Sequence, residues 1–265
     1  MDELGFDFST AATWFQHQQD HPFALVKLTS AQTTQLAGQI AVAVRRCYIT
    51  DQQLTQSAIT HGLQQAEILA SRMPDTGSTM AGDFGEILCY FYQSTKGLPA
   101  FSIGAKKWRL KQDRTKPAPR SDVVHFVMPA RPNSSPNDIV LCAEVKLKST
   151  RGASTPITSA IEDSAKDRTS RLAATLVWLR ERAMTEQLGD IDIPMLSRFI
   201  NLVDHPPVLK RYSAVAVICE SLLTEELKAA PAIASSDYSL LVIAVPNLKL
   251  TYEAVFAAGH STVPI

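Results

Sequence analysis

The chain has 265 residues, 45% of them hydrophobic, which is enough for one large core or two smaller ones. Its 26 basic and 26 acidic residues cancel, so any contact with a polyanion must come from a local basic face rather than from overall charge. Four scattered cysteines, Cys47, Cys89, Cys142 and Cys219, argue against a zinc site or a disulfide framework, and no apolar run reaches membrane length. The start, Met1-Asp2-Glu3-Leu4, lacks the charged and apolar regions of a secretion signal, so the expectation is a soluble, cytoplasmic protein with no membrane partner.

Phe23 to Leu28 has the composition of a strand, and Ser30 to Tyr48 that of a helix, with Ser30 as N-cap and Leu36, Ile40, Val42 and Val44 along it. His17 and His21 stand at a spacing that could face one metal on a helix, but Pro22 and the surrounding glutamines favour a solvated segment. A second helical pattern runs from Leu54 to Arg72, and Pro74-Asp75-Thr76-Gly77-Ser78 breaks it. This breaker is either a loop within one domain or a domain boundary, and the expectation is a division into an N-terminal helical and strand region, 1–77, and the region carrying the candidate chemistry, 78–265.

Gly82 to Tyr92 predicts an apolar helix ending near Gly97, with Asp83 and Glu86 as neighbours on one face. Alone, both acids would simply complement the positive end of the helix dipole. Beyond it, Lys106, Lys107, Arg109, Lys111, Arg114, Lys116 and Arg120 face the single acid Asp113, with Trp108 among them, and Phe101 to Lys111 has strand character. Such a run is either a solvated face or a phosphate-contacting one; Lys106, Lys107 and Arg109 are the candidate nucleic-acid contacts.

Ser121 to Val127 is a strand-like run with Asp122 near its start, and the turn-rich loop Pro129 to Asn137 leads into Asp138 to Lys148. In that second strand Val140, Cys142, Glu144 and Lys146 share one face, while Leu141, Ala143, Val145 and Leu147 share the other. An antiparallel pair would set Asp122 beside Glu144. Thr155-Pro156 predicts a helix start followed by a long, broken helical segment through Leu179. Of its charges, Asp163 or Lys166 could at most support the site. Tyr212 to Cys219 and Tyr238 to Val245 bracket a helix over Leu222 to Ala230, a pattern that favours parallel strands, and Ala254 to Ile265 predicts a terminal cap. There is no P-loop and no dinucleotide fingerprint.

Carboxylates converging at strand ends suit Mg²⁺ or Mn²⁺, which prefer hard oxygen ligands and water. Such an ion would neutralise a scissile phosphate and acidify a bound water. Lys146, on the face of Glu144, would orient that water and stabilise the added negative charge. Enzymes lower barriers by roughly 8 to 23 kcal/mol, so the acids, the lysine and the ion would have to act together. The alternative for the pair is an exposed surface ion pair worth at most about 1 kcal/mol.

The order of these parts over Gly82 to Leu179 resembles the core of the PD-(D/E)XK nuclease superfamily: a helix bearing Glu86, a strand, the Asp122 strand, the Glu144-Val145-Lys146 strand and a helix. Ser121 replaces the proline of the motif. The resemblance implies an α/β fold of the restriction-endonuclease type, a mixed central sheet flanked by helices, with Asp122, Glu144, Lys146 and Glu86 catalytic and Asp122, Glu144 and Glu86 holding the ion. More narrowly, Gly85-Glu86, the basic strand after Leu98-Pro99, Asp122 to Phe126 and Ala143 to Leu147 resemble the HamA family of the Hachiman anti-phage defence system. That resemblance implies a DNase effector restrained by a partner helicase, HamB, until it meets phage-derived or damaged DNA. The alternatives are a catalytically silent nucleic-acid-binding or scaffold subunit, and a standalone restriction or repair nuclease.

Overall fold

Aliphatic and β-branched runs supply the inner strands of one mixed sheet, because such side chains fit a pleated surface covered on both faces. The computed structural model describes residues 3–96, 102–201 and 203–264. Its strands are β1 (Gln16–Gln18), β2 (Ala24–Lys27), β3 (Ser102–Gly104), β4 (Val123–Val127), β5 (Ile139–Lys148), β6 (Leu209–Cys219) and β7 (Ser239–Val245). They lie in the order β1-β2-β7-β6-β5-β4-β3. The central strands β2, β7, β6 and β5 are parallel, and β1, β4 and β3 pair antiparallel at the flanks. The sheet is therefore mixed and flanked by helices, as expected.

The helices are α1 (Phe8–Ala12), α2 (Ser30–Tyr48), α3 (Asp51–His61), α4 (Gln65–Arg72), α5 (Ser78–Lys96), α6 (Pro156–Lys166), α7 (Leu172–Ala183), α8 (Ile193–Ile200), α9 (Leu223–Glu226) and α10 (Leu248–His260). On one face of the sheet, Ile40 and Val44 of α2, Phe84, Ile87 and Phe91 of α5, and Val255 and Phe256 of α10 join Val215, Val217 and Ile243 in one core. On the other, Leu176 of α7 and Phe199 of α8 cover Phe126, Val140 and Cys142, while Ile157 and Ala160 of α6 cover Ala214, Ala216 and Val242. The alternation in β5 holds: Ala143 and Val145 enter the α5 core, Val140 and Cys142 the α7 core.

Several local details differ from expectation. The cap of α2 is Thr29 rather than Ser30: Thr29 Oγ1 accepts the amide of Gln32, whose Oε1 accepts the amide of Thr29 in return. The Leu54 to Arg72 run is two helices, because Gly62 takes a left-handed φ of 65° and ends α3. His17 sits on the exposed strand β1, not on a helix. The terminal helix α10 starts six residues before Ala254, at Leu248. The strand expected from Phe101 to Lys111 begins outside the described residues, as do Gly97, Leu98 and Pro99. Within them only Ser102–Gly104 pairs, and Lys107–Leu110 winds into a 3₁₀ turn.

The regions before and after the breaker at Pro74 share the sheet, since β2 pairs with β7. Gly259 brings α10 close to α2 and the end of α4: a Cβ there would stand 3.0 Å from Met73 and 3.5 Å from the Ala41 carbonyl. All four cysteines are buried and free. Among the described residues no helix is long and apolar enough to cross a membrane.

Candidate active site

The site forms where β5 outruns β4. β4 pairs with β5 only over Ile139 to Ala143, whereas β5 continues along β6 to Lys148. An amide left unpaired at that edge would cost stability, and Asp122, just before β4, supplies the acceptor: its Oδ2 takes the Val145 N–H at 2.8 Å. The antiparallel register thus anchors Asp122 beside Glu144, as the strand order predicts.

Glu144 points toward α6 and α7 and is only 2% exposed. Lys146 Nζ donates to its Oε1 at 2.7 Å, and Arg171 Nη2 donates to its Oε2. Lys146 Nζ also lies 2.7 Å from Asp163 Oδ2. Arg171 forks onto Asp167, Nε to Oδ1 at 2.8 Å and Nη2 to Oδ2 at 2.9 Å. Asp167 Oδ1 in turn accepts Ser121 Oγ at 2.7 Å, and the Ser121 amide donates to Thr175 Oγ1 at 3.2 Å. Asp167 to Arg171 is a π-turn linking α6 to α7, the type of insertion that re-aims side chains at functional sites.

Glu86 approaches from the opposite face. Gly85 lets α5 lie against β5, since a Cβ there would already touch Leu147 and Val145 at 3.4 Å. Glu86 is buried, and Trp108 Nε1 donates to its Oε2 at 3.0 Å. Asp83, one turn earlier, is committed elsewhere: Tyr48 Oη donates to Oδ2 at 2.6 Å, and Lys111 Nζ lies 2.8 Å from the same oxygen.

Burial raises all three expected acids, as it does Asp83. Burial, then the charge of Asp122, holds Glu86 well above the usual carboxylate range. Burial also raises Asp122, against Lys107 and the Val145 amide, which favour its charged form. Glu144 is pushed up to about 7, first by burial and then by Asp122. Burial opposes the charge on Lys146, but its hydrogen bonds to Asp163 and Glu144 together hold the ammonium above its ordinary value. Asp163, hydrogen-bonded by Lys146 and Lys166, falls to about 2. Burial is thus the first cause for all three acids, and the charge of Asp122 adds to it at Glu86 and Glu144, against the lysines and Arg171 nearby.

That donor set suits a hard divalent cation, which commonly takes one or two carboxylates and fills its remaining positions with water. Among the described residues no group of three His, Cys, Asp or Glu side chains is disposed to hold an ion by itself. Asp122 and Glu144 fit the two-carboxylate arrangement, with Glu86 behind them.

The basic run requires a correction. Lys106 and Lys107 are buried, at 6% and 0% exposure, rather than lined up toward solvent. Lys106 Nζ lies 3.0 Å from Glu3 Oε1, and Arg109 Nη1 lies 2.6 Å from Glu3 Oε2. Arg109 Nε and Nη2 donate to the Arg46 carbonyl. Lys107 Nζ donates to the Pro119 carbonyl at 3.1 Å, and its charge favours ionised Asp122 and Glu86. These cations tie the N-terminus and the acidic centre to the fold; the exposed ones of the run are Lys116 and Arg120. His125, buried between Gln93 and Ser94 and held near 3 by desolvation, is a neutral structural group.

Arg171, Asp167 and the Trp108 indole are partners of the candidate site that the residue pattern did not reveal. The Asp-x-x-x-Arg spacing in the helical segment after Lys146 was the available signal.

Strand and helix order, with the acid and lysine cluster where β5 leaves β4, define a mixed α/β protein with a built polar centre. The chain belongs to the HamA family, whose model matches residues 7–258. It is accordingly an anti-phage defence protein of the Hachiman type. The matched region spans the whole sheet and includes Glu86, Asp122, Glu144 and Lys146. No curated protein matches the chain.

Proposed function

We propose that the protein is a metal-dependent nuclease of the PD-(D/E)XK type that hydrolyses DNA phosphodiesters as the effector subunit of a defence complex, under the control of a partner helicase. The observation carrying this reading is the convergence of Asp122, Glu144 and Lys146 at one strand junction, with Lys146 held 2.7 Å from Glu144. Asp122 and Glu144 would hold Mg²⁺ or Mn²⁺, which supplies charge neutralisation at the phosphate and an acidified water.

The remaining chemistry belongs to the chain. Asp122 is fixed by the Val145 amide, so one oxygen keeps its place without side-chain reorganisation. Lys146 stays protonated through Asp163 and Glu144, and its ammonium orients the attacking water and stabilises the added charge on the phosphate. Glu86, buried behind Asp122 and fixed by Trp108, orients the carboxylate pair. Arg120, exposed and two residues before Asp122, is placed to meet a neighbouring phosphate.

Supercoiled plasmid incubated with Mg²⁺ or Mn²⁺ tests the reading. Wild type should nick it, while Glu144→Ala and Lys146→Ala should lose at least about 100-fold in rate yet still bind DNA. Absence of cleavage by the wild type even with its helicase would leave the catalytically silent, nucleic-acid-binding reading in its place.

A further inference from the structure

We infer that Arg171 is a guanidinium plug for the cation position at Glu144, occupying that carboxylate when no ion is bound and releasing it when one binds. This rests on the reading of Asp122 and Glu144 as ligands. Both Glu144 oxygens are committed: Oε1 to Lys146 at 2.7 Å and Oε2 to Arg171. A divalent ion must therefore compete with a charge-assisted hydrogen bond for Oε2. Competition of this kind lowers the apparent affinity by the fraction of molecules in which Glu144 is released.

The surrounding network is built so that release strands no charge. Removing one partner of a buried ion pair is normally very unfavourable because the other is left unpaired. Here each cation has a second acid. Arg171 keeps its fork on Asp167 at 2.8 and 2.9 Å, and Lys146 keeps Asp163 at 2.7 Å. Arg171 springs from the π-turn between α6 and α7, and its side chain is 23% exposed, so the guanidinium has solvent to move toward. Its anchor Asp167 also holds Ser121, the residue before Asp122, so one group ties the plug to both acid-bearing segments. A released guanidinium seeks another anion, and a substrate phosphate is the one the proposed reaction provides. Ion and nucleic acid should then bind with positive coupling.

Mn²⁺ titration of the full 265-residue chain, followed by calorimetry or by the electron paramagnetic resonance of free Mn²⁺, tests this without any turnover. Arg171→Gln should bind Mn²⁺ at least about 10-fold tighter than wild type. Lys166→Gln removes a cation from the same network, one that pairs with Asp163 rather than Glu144, and should change affinity by no more than about 2-fold. Arg171→Lys keeps the charge but loses the fork, and should fall between wild type and Arg171→Gln; it serves if Arg171→Gln does not fold. A short DNA duplex should tighten Mn²⁺ binding to Glu144-intact wild type and have a smaller effect on Arg171→Gln.

If Glu144→Gln abolishes Mn²⁺ binding while Arg171→Gln binds no more tightly than wild type, the plug is overturned and the ligand assignment stands. An equal gain in Lys166→Gln and Arg171→Gln also overturns it, since general charge would then explain the change. If Glu144→Gln binds Mn²⁺ as wild type does, the ligand assignment itself fails.

Discussion

Replacing Glu144 by Gln should make the metal-free protein more stable at pH 8 and leave it almost unchanged at pH 5. The side chain is 2% exposed and its carboxyl is pushed from an ordinary 4.5 to about 7 by burial and by Asp122. At 1.36 kcal/mol per pH unit, the ionised form therefore costs on the order of 3 kcal/mol in the folded state. The sign follows from proton binding. Between pH 4.5 and about 7 the unfolded chain has lost this proton while the folded chain retains it, so the Glu144 contribution to stability declines as pH rises through that window. Above it the full cost is present. Gln occupies the same space, keeps an oxygen for Lys146 or Arg171 and carries no proton to lose. Urea unfolding in EDTA at half-unit steps from pH 5 to 8 should show the variant gaining about 1 to 3 kcal/mol over wild type by pH 8, with the gap closing toward pH 5. A gap that is the same at every pH, or a variant less stable at pH 8, would refute the argument that Lys146 and Arg171 do not fully offset the cost of burying the Glu144 charge beside Asp122.

Two further substitutions probe the frame around the site. Lys111→Met leaves Asp83, 1% exposed, with its hydrogen bond from the Tyr48 hydroxyl but without the cation; it should cost about 3 to 5 kcal/mol in urea unfolding, and adding Asp83→Asn should recover much of that loss. Arg120 has a left-handed φ of 76°, a conformation that disfavours a side chain by about 1 to 2 kcal/mol. Arg120→Gly should therefore raise stability by about 0.5 to 1 kcal/mol after the greater freedom of the unfolded glycine is counted, and weaken DNA retention on a gel at low salt. A stability gain with unchanged DNA retention would show that the strain serves the turn and not the substrate.

Much of the site was legible because it depends on local order. The composition of Ile139 to Lys148 predicts a strand, and the two-residue period then sets Glu144 and Lys146 on one face whatever surrounds them. The Pro-rich loop before it makes the Asp122 strand antiparallel, which brings the acids together. The basic run was misread for the complementary reason. Lys106, Lys107 and Arg109 are as polar in sequence as Lys116 and Arg120, and nothing local reports that Glu3 and the Pro119 carbonyl will close over them. Burial of a charge is decided by a partner distant in the chain: Arg109 meets Glu3 across 106 positions.

The same distinction divides the protein as a whole. Sequence alone determined β2, β4, β5, β6 and β7, the faces of β5, the proximity of Asp122 to Glu144 and the resemblance to the HamA family, which the family match bears out over residues 7–258. Those features follow from backbone periodicity and from short connections. Tertiary structure decided that β2 completes the sheet beside β7, that Glu86 is fixed by Trp108, and that Arg171 and Asp167 close over Glu144. Each of these joins segments far apart in the chain, where the favourable pairing of a buried charge or strand edge is set by three-dimensional packing and leaves no period in the sequence to read.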